Sequence, residues 1–87
     1  MPDVVFSLSA WEDYLWWQSQ DRKTLKRINA LIRDINRSNH EGIGQPEPLR
    51  GDHSGCWSRR INDKDRLVYR IAEGGSIQVI AVRGHYT

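Results

Sequence analysis

A chain of 87 residues, 38% hydrophobic and with four tryptophans, reads as one domain over 1–87 with a single core, and this composition excludes a disordered segment. No apolar run is long enough to cross a bilayer, and Cys56 as the lone cysteine excludes an internal disulfide. The net charge of +2 hides blocks of −3 over residues 1–20, +4 over 21–40, −2 over 41–49 and +3 over 50–87, with arginine supplying ten of the thirteen cations. Arginine's planar fork suits bidentate phosphate contact, so a polyanionic partner and a merely solvated basic face both remain open.

In chain order, "PDVVFS" is a short β-branched run that predicts a strand. Its single acid and short apolar stretch do not read as a signal peptide. With the lone cysteine this fits a reducing cytoplasm. "SAWE" follows, with Ser9 and Glu12 as a capping box opening a helix. Trp11, Tyr14, Leu15 and Gln18 form its predicted inward stripe with Trp17 alongside. Trp16 falls on the opposite side, for packing against a loop or contact with a partner. Asp21 caps a second predicted helix through about Arg37, whose core face is Leu25, Ile28, Leu31, Ile32 and Ile35. Its other face collects Lys23, Lys26, Arg27, Arg33 and Arg37, with Asp34 as the one acid.

Residues 38–55, rich in glycine, proline and polar groups, predict a long loop, and a loop of this length in a small domain is usually functional or mobile. Three strands follow, "CWSRRIN", "RLVYRIA" and "SIQVIAVRGHY", joined by "DKD" and "EGGS". The order β-α-α-β-β-β describes an α+β domain, a small twisted antiparallel sheet with two helices packed on one face. A hairpin tip at Gly74 and Gly75 sets Val68 opposite Ala81 and Arg66 opposite Arg83. Leu67, Tyr69, Ile71, Ile80 and Val82 then face the helices. Arg66, Val68, Arg70, Val79, Ala81, Arg83 and His85 occupy the other face. Three potential cations, Arg66, Arg83 and His85, gather near one end of it and repel unless an anion sits among them. Extending the ladder through a turn at Asp63 and Lys64 puts Arg59 on that face and Arg60 on the core side, although a bulge would exchange the two.

Cys56, His40, His53 and His85 match no metal-ligand spacing, so neither metal nor cofactor is expected. His40 and His53 read as solvated loop residues. "GIG" at Gly42 to Gly44 has no strand-to-helix junction after it, and Ser54 lacks the setting of a nucleophile elbow. Glu47 stands between Pro46 and Pro48, whose rings restrict the carboxylate's reach. Either it is a solvated acid, or it is a base whose partners are His85 as acid and Arg66 with its neighbours as charge stabilisers. Metal-free cleavage of a phosphodiester needs those parts. Since only RNA carries a 2′-OH, such a site would select RNA over DNA.

The pieces "WEDYLWW", "GIGQPEPLRGDHSGCWSRRI", "DRLVY" and "RGHY" resemble the YoeB family of the RelE superfamily of bacterial toxins, from about Val4 to Tyr86. The resemblance implies a RelE-like fold and cleavage of mRNA in the ribosomal A site, blocking translation. It also implies a homodimer neutralised by a YefM-like antitoxin with an acidic C-terminal segment, and contact with DNA only through that antitoxin. By motif, Glu47 is the general base, Arg66 the phosphate ligand, His85 the general acid, and Tyr86 the residue that orients or stacks on the nucleotide. Arg50 and Arg60 carry over as phosphate contacts, and Arg59 and Arg83 join them from the strand alternation. Arg50 stands where the family pattern leads one to expect lysine, Gly84 where a bulkier residue often precedes the histidine, and Thr87 extends the usual ending. Alternation turns Tyr86 away from His85, so its role requires the chain to bend at Gly84. The competing reading is a non-catalytic module for antitoxin binding and operator repression.

Overall fold

Residues 3–85 are described by the computed structural model. Helix α1 (Leu8–Gln20) opens at Ser7 rather than Ser9: the Ser7 hydroxyl accepts from the Ala10 N–H at 3.1 Å and donates to the Ile80 carbonyl at 3.0 Å. The cap lies two residues early because this serine also ties the helix to a strand, which a local pattern does not register. Helix α2 (Arg22–Arg37) starts as expected at Asp21, which accepts from the N–H groups of Lys23 and Thr24. The Thr24 hydroxyl, followed by its N–H, holds the Asp21 carboxyl below its ordinary range.

Ile28, Leu31 and Ile35 of α2 are fully buried, with Leu25 and Ile32 packed beside them, and each buried side chain contributes about 1.5–3 kcal/mol. Helix α1 departs from its predicted stripe. Ala10 and Trp17 are its buried residues, whereas Trp11 and Leu15 are 44% and 42% exposed. Burial of the Trp17 indole is coupled to a hydrogen bond from its N–H to the Val82 carbonyl at 2.8 Å, and this turns the helix about its axis relative to the simple stripe. Among the described residues no helix is long and apolar enough to cross a membrane.

Five strands form one sheet: β1 (Val4–Phe6), β2 (Glu47–Pro48), β3 (Trp57–Arg60), β4 (Arg66–Ile71) and β5 (Ile77–Ala81), in spatial order β1-β5-β4-β3-β2. The α+β class is as expected, but the sheet is mixed, since β1 pairs with β5 in parallel. β2 arises inside the segment expected to be loop. It is an edge strand, the one place where Pro46 and Pro48, lacking N–H donors, disturb no inner ladder.

Both hairpins close over three residues instead of two. In the first, Asn62 Oδ1 accepts from the Lys64 and Asp65 N–H groups at 2.8 Å, an Asx turn that lengthens the loop. Arg60 therefore faces Arg66, and Arg59 faces Leu67. In the second, Ala72 and Ser76 close around Glu73-Gly74-Gly75, with both glycines at positive φ. Near the tip Tyr69 pairs with Val79, but a bulge leaves Ile80 unpaired and brings Val68 opposite Ala81. The extra loop residue and the extra bulge residue cancel, so Ala81 and Val82 lie on the expected faces. Between them the faces exchange: Val79 is in the core and Ile80 packs on the other side.

The main core lies between the sheet and the helices, and a second apolar cluster, Leu49, Cys56, Val68 and Ala81 with Ile80, lies on the opposite face.

Candidate functional site

Pairing of Glu47 with Ser58, Ser58 with Val68, Arg60 with Arg66 and Val68 with Ala81 places all these residues on the helix-free face. The floor is close-packed: Ser58, Val68 and Ala81 are buried, and Leu49 and Cys56 cover them from the loop. Strand spacing puts the Glu47 and Arg66 backbones roughly 12 Å apart, two strands across and two residues along.

Arg66 is only 8% exposed. One arm of its guanidinium donates to the Asn62 and Asp65 carbonyls at 2.7 and 3.1 Å, which fixes its direction. Among the described residues no carboxylate lies within ion-pair distance of it. The cross-strand neighbour is Arg60, which is exposed, and like charges directly opposite are destabilising unless an anion joins them. Two cations thus share this end of the face, although the second is Arg60 and not Arg83.

Arg59 does not join the site. It is fully buried on the core side, the reverse of the expected assignment, because the three-residue turn shifts β3 by one residue. Its Nη1 donates to Asp34 Oδ2 at 2.6 Å and to the Ile43 carbonyl, Nη2 to the carbonyls of Ser38, Asn39 and Glu41, and Nε to the Tyr69 hydroxyl. No donor direction is left for phosphate. Asp34, expected among the cations of an outer face, is buried between Arg59 and Arg37 and accepts from the Ile43 N–H. That N–H first, then Arg37 and Arg59, lowers its pKa to about 2. Burial pushes the Tyr69 hydroxyl up, keeping it able to donate to the Asn39 carbonyl at 2.6 Å.

This cluster explains "GIG". Gly42 has φ +116°, and a Cβ there would fall 1.9 Å from Asp34 Oδ2. Gly44 has φ +83°, and its Cβ would come within 2.8 Å of Leu31. The glycines let the backbone wrap around Arg59, and the Gly44 carbonyl then accepts from the Arg60 N–H at 2.7 Å. Three residues later the same segment presents Glu47 on β2, exposed to solvent.

His85 arrives from the other side. The Arg66 N–H donates to the Gly84 carbonyl at 2.8 Å, and the Gly84 N–H donates to Asp65 Oδ1 at 2.9 Å, so exposed His85 follows directly after a residue tied to the Arg66 end of β4. Gly84 has φ +93°, a left-handed backbone that favours glycine. Arg83 is a correction: its guanidinium lies 3.7 Å over the Trp16 ring and 3.7 Å from Asp13 Oδ1, on α1 and not beside Arg66. Tyr86 lies outside the described residues. Arg50 is exposed at the start of a short helical turn, Gly51–His53, beyond β2. His40 is exposed, as expected, with its ring tilted against Trp57 at 4.3 Å between ring centroids.

Asp34, Trp17 and Asp65 also shape the site, although the sequence pointed to none of them as part of it. The Asx turn at Asn62 was a readable signal for the register, whereas the partners of Asp34 and Asp65 are set by tertiary contacts alone. Open hollows of about 370 and 340 Å³ lie along α2, lined by residues such as Arg33 with Arg37 and Arg22 with Lys26. Neither includes Glu47, Arg66 or His85.

The family described as "YoeB-like toxin of bacterial type II toxin-antitoxin system" matches residues 6–86. The chain belongs to the YoeB family. It is 52% identical over 83 residues to Toxin YoeB of Synechocystis sp., covering 95% of each chain. Among solved structures it is similar to a YoeB/ParE toxin from Agrobacterium tumefaciens (TM-score 0.94, 46% identity, 97% of this chain and 99% of that one). The Staphylococcus aureus protein is similar both in a YoeB-YefM complex (TM-score 0.90, 39% identity, 99% of each chain) and as a YoeB dimer (TM-score 0.90, 41% identity, 98% of each chain). The chain is thus a toxin of a type II toxin–antitoxin system with the RelE-like α+β fold expected of a YoeB toxin.

Proposed function

We propose that this YoeB-family chain is a ribosome-dependent endoribonuclease that cleaves mRNA in the ribosomal A site and so inhibits translation in the cytoplasm. The observation that carries the reading is Arg66: a buried guanidinium, fixed in direction, without a carboxylate partner among the described residues, on the face that also holds Glu47. Such a charge is costly to keep without an anion, and a phosphodiester supplies one.

The chemistry is metal-free acid–base cleavage. Glu47 takes the proton of the ribose 2′-OH, and O2′ attacks phosphorus. Negative charge grows on the phosphorane oxygens, where Arg66 stabilises it with help from Arg60 and Arg50. His85, as imidazolium, gives its proton to the departing 5′-oxygen. Tyr86 stacks on or orients the nucleotide. A 2′,3′-cyclic phosphate remains upstream. The ribosome supplies the mRNA in place, which suits an open face.

An antitoxin of YefM type neutralises the protein, as the Staphylococcus aureus complex suggests, and its acidic C-terminal segment suits the cationic end of the open face. Two copies associate, as in the Staphylococcus aureus dimer, and DNA is reached only through the antitoxin.

The test is mapping of mRNA 5′ ends after induction without antitoxin, for wild type, Glu47→Ala and His85→Ala. Codon-phased breaks that weaken about 10²- to 10⁴-fold in each variant are expected. Intact transcripts with altered promoter occupancy would instead favour a binding and repression module. Wild-type cleavage by either variant would remove the role given to that residue.

A further inference from the structure

Val82 to Gly84 set the direction in which the chain delivers His85, and each of the three is held. The Val82 side chain is fully buried and its carbonyl accepts the Trp17 indole N–H. Arg83 lies with its guanidinium on the Trp16 ring, Asp13 beside it. Gly84, at a φ that other residues rarely adopt, is gripped on both backbone groups, its N–H by the Asp65 carboxylate and its carbonyl by the Arg66 N–H.

Two of these contacts come from side chains without a place in the chemistry. Trp16 is 37% exposed, and its ring meets the edge of Trp17 beneath. It is the odd residue of the α1 sequence pattern, and its role is visible only once the tail is seen to cross it. Asp65 sits at the end of the β3–β4 turn, immediately before Arg66. One places the residue two before His85, the other the residue one before it.

We propose that Trp16 and Asp65 are positioning residues for His85: Trp16 by stacking beneath Arg83, and Asp65 by holding the Gly84 N–H, so that together they aim the imidazole at the open face beside Arg66. The inference rests on His85 being the general acid. A cation over a tryptophan face and a charge-assisted hydrogen bond both have preferred directions. Proton transfer is sensitive to displacements of about 1 Å, which can cost on the order of 10²-fold in rate.

The experiment is single-turnover cleavage of mRNA on programmed ribosomes with the protein in excess, folding being followed in parallel by urea unfolding. Trp16→Leu and Asp65→Ala should each lower the maximal cleavage rate about tenfold or more, with the half-saturating concentration changed less than about twofold. Trp16→Phe keeps an aromatic face and Asp65→Asn keeps an acceptor oxygen, and both should restore most of the rate. In a His85→Ala background, Trp16→Leu and Asp65→Ala should have no further effect, because they act through the missing imidazole. Wild-type rates for Trp16→Leu and Asp65→Ala alongside a slow His85→Ala would overturn the positioning role while leaving the acid assignment intact. So would full additivity with His85→Ala. A wild-type rate for His85→Ala itself would remove the acid assignment, and the positioning role with it.

Discussion

The segment before Glu47 is wrapped around a buried guanidinium, whereas the two residues before His85, Arg83 and Gly84, lie on the molecule's surface beyond the buried Val82. Arg59 is fully buried and donates to four loop carbonyls, a carboxylate and a tyrosine hydroxyl. The tail has a half-exposed cation on a half-exposed ring and two backbone hydrogen bonds at Gly84. A buried network fails as a unit, because removing one member strands the others without partners. Surface contacts can be lost one at a time. The proposed base is therefore fixed by the fold itself, and the proposed acid by adjustable contacts that tune activity with little effect on stability.

The largest effect that would break this contrast is on stability. Arg59→Met leaves the carbonyls of Ser38, Glu41 and Ile43 without their donor and should cost about 3–5 kcal/mol, read from urea unfolding. A cost under about 1 kcal/mol would mean that the network does not hold the loop. Gly42→Ala, with φ +116° and a Cβ aimed at Asp34, should cost about 1–3 kcal/mol, and cleavage should fall with it as Glu47 loses its support.

Acid sharpens the same comparison. The folded pKa of Asp34 is depressed from 3.8 to about 2, so its stabilising contribution is complete above about pH 4 and is lost as pH falls through about 2. The gap in urea midpoint between wild type and Asp34→Asn should close over that window. A gap that widened with acid would contradict the charge assignment. The smallest effect belongs to the tail: Trp16→Leu should change stability by less than about 1 kcal/mol while slowing cleavage.

Local signals were legible where they were self-contained. The Asp21 cap and the apolar stripe of α2 needed only neighbours along the chain. Strand register was not legible to the same degree, because "DKD" and "EGGS" permit two- or three-residue closures that differ by a full change of face. That single residue exchanged Arg59 with Arg60, and with the bulge it exchanged Val79 with Ile80. The parallel pairing of β1 with β5 left no mark, since side-chain alternation does not name a strand's neighbour. Residue chemistry and family resemblance both identified Glu47, Arg66 and His85 as candidates, but not the supports beneath them. Those supports lie at residues such as Asp34 and Trp16, whose partners are distant in sequence.

The open face is proposed to cleave RNA through the RNA's own 2′-hydroxyl. End chemistry tests it most directly: mRNA cut on ribosomes by the purified protein is recovered, and the upstream fragment's terminus is determined by mass spectrometry. Attack by the 2′-hydroxyl leaves a 2′,3′-cyclic phosphate facing a downstream 5′-hydroxyl. A 3′-hydroxyl facing a 5′-phosphate would contradict it.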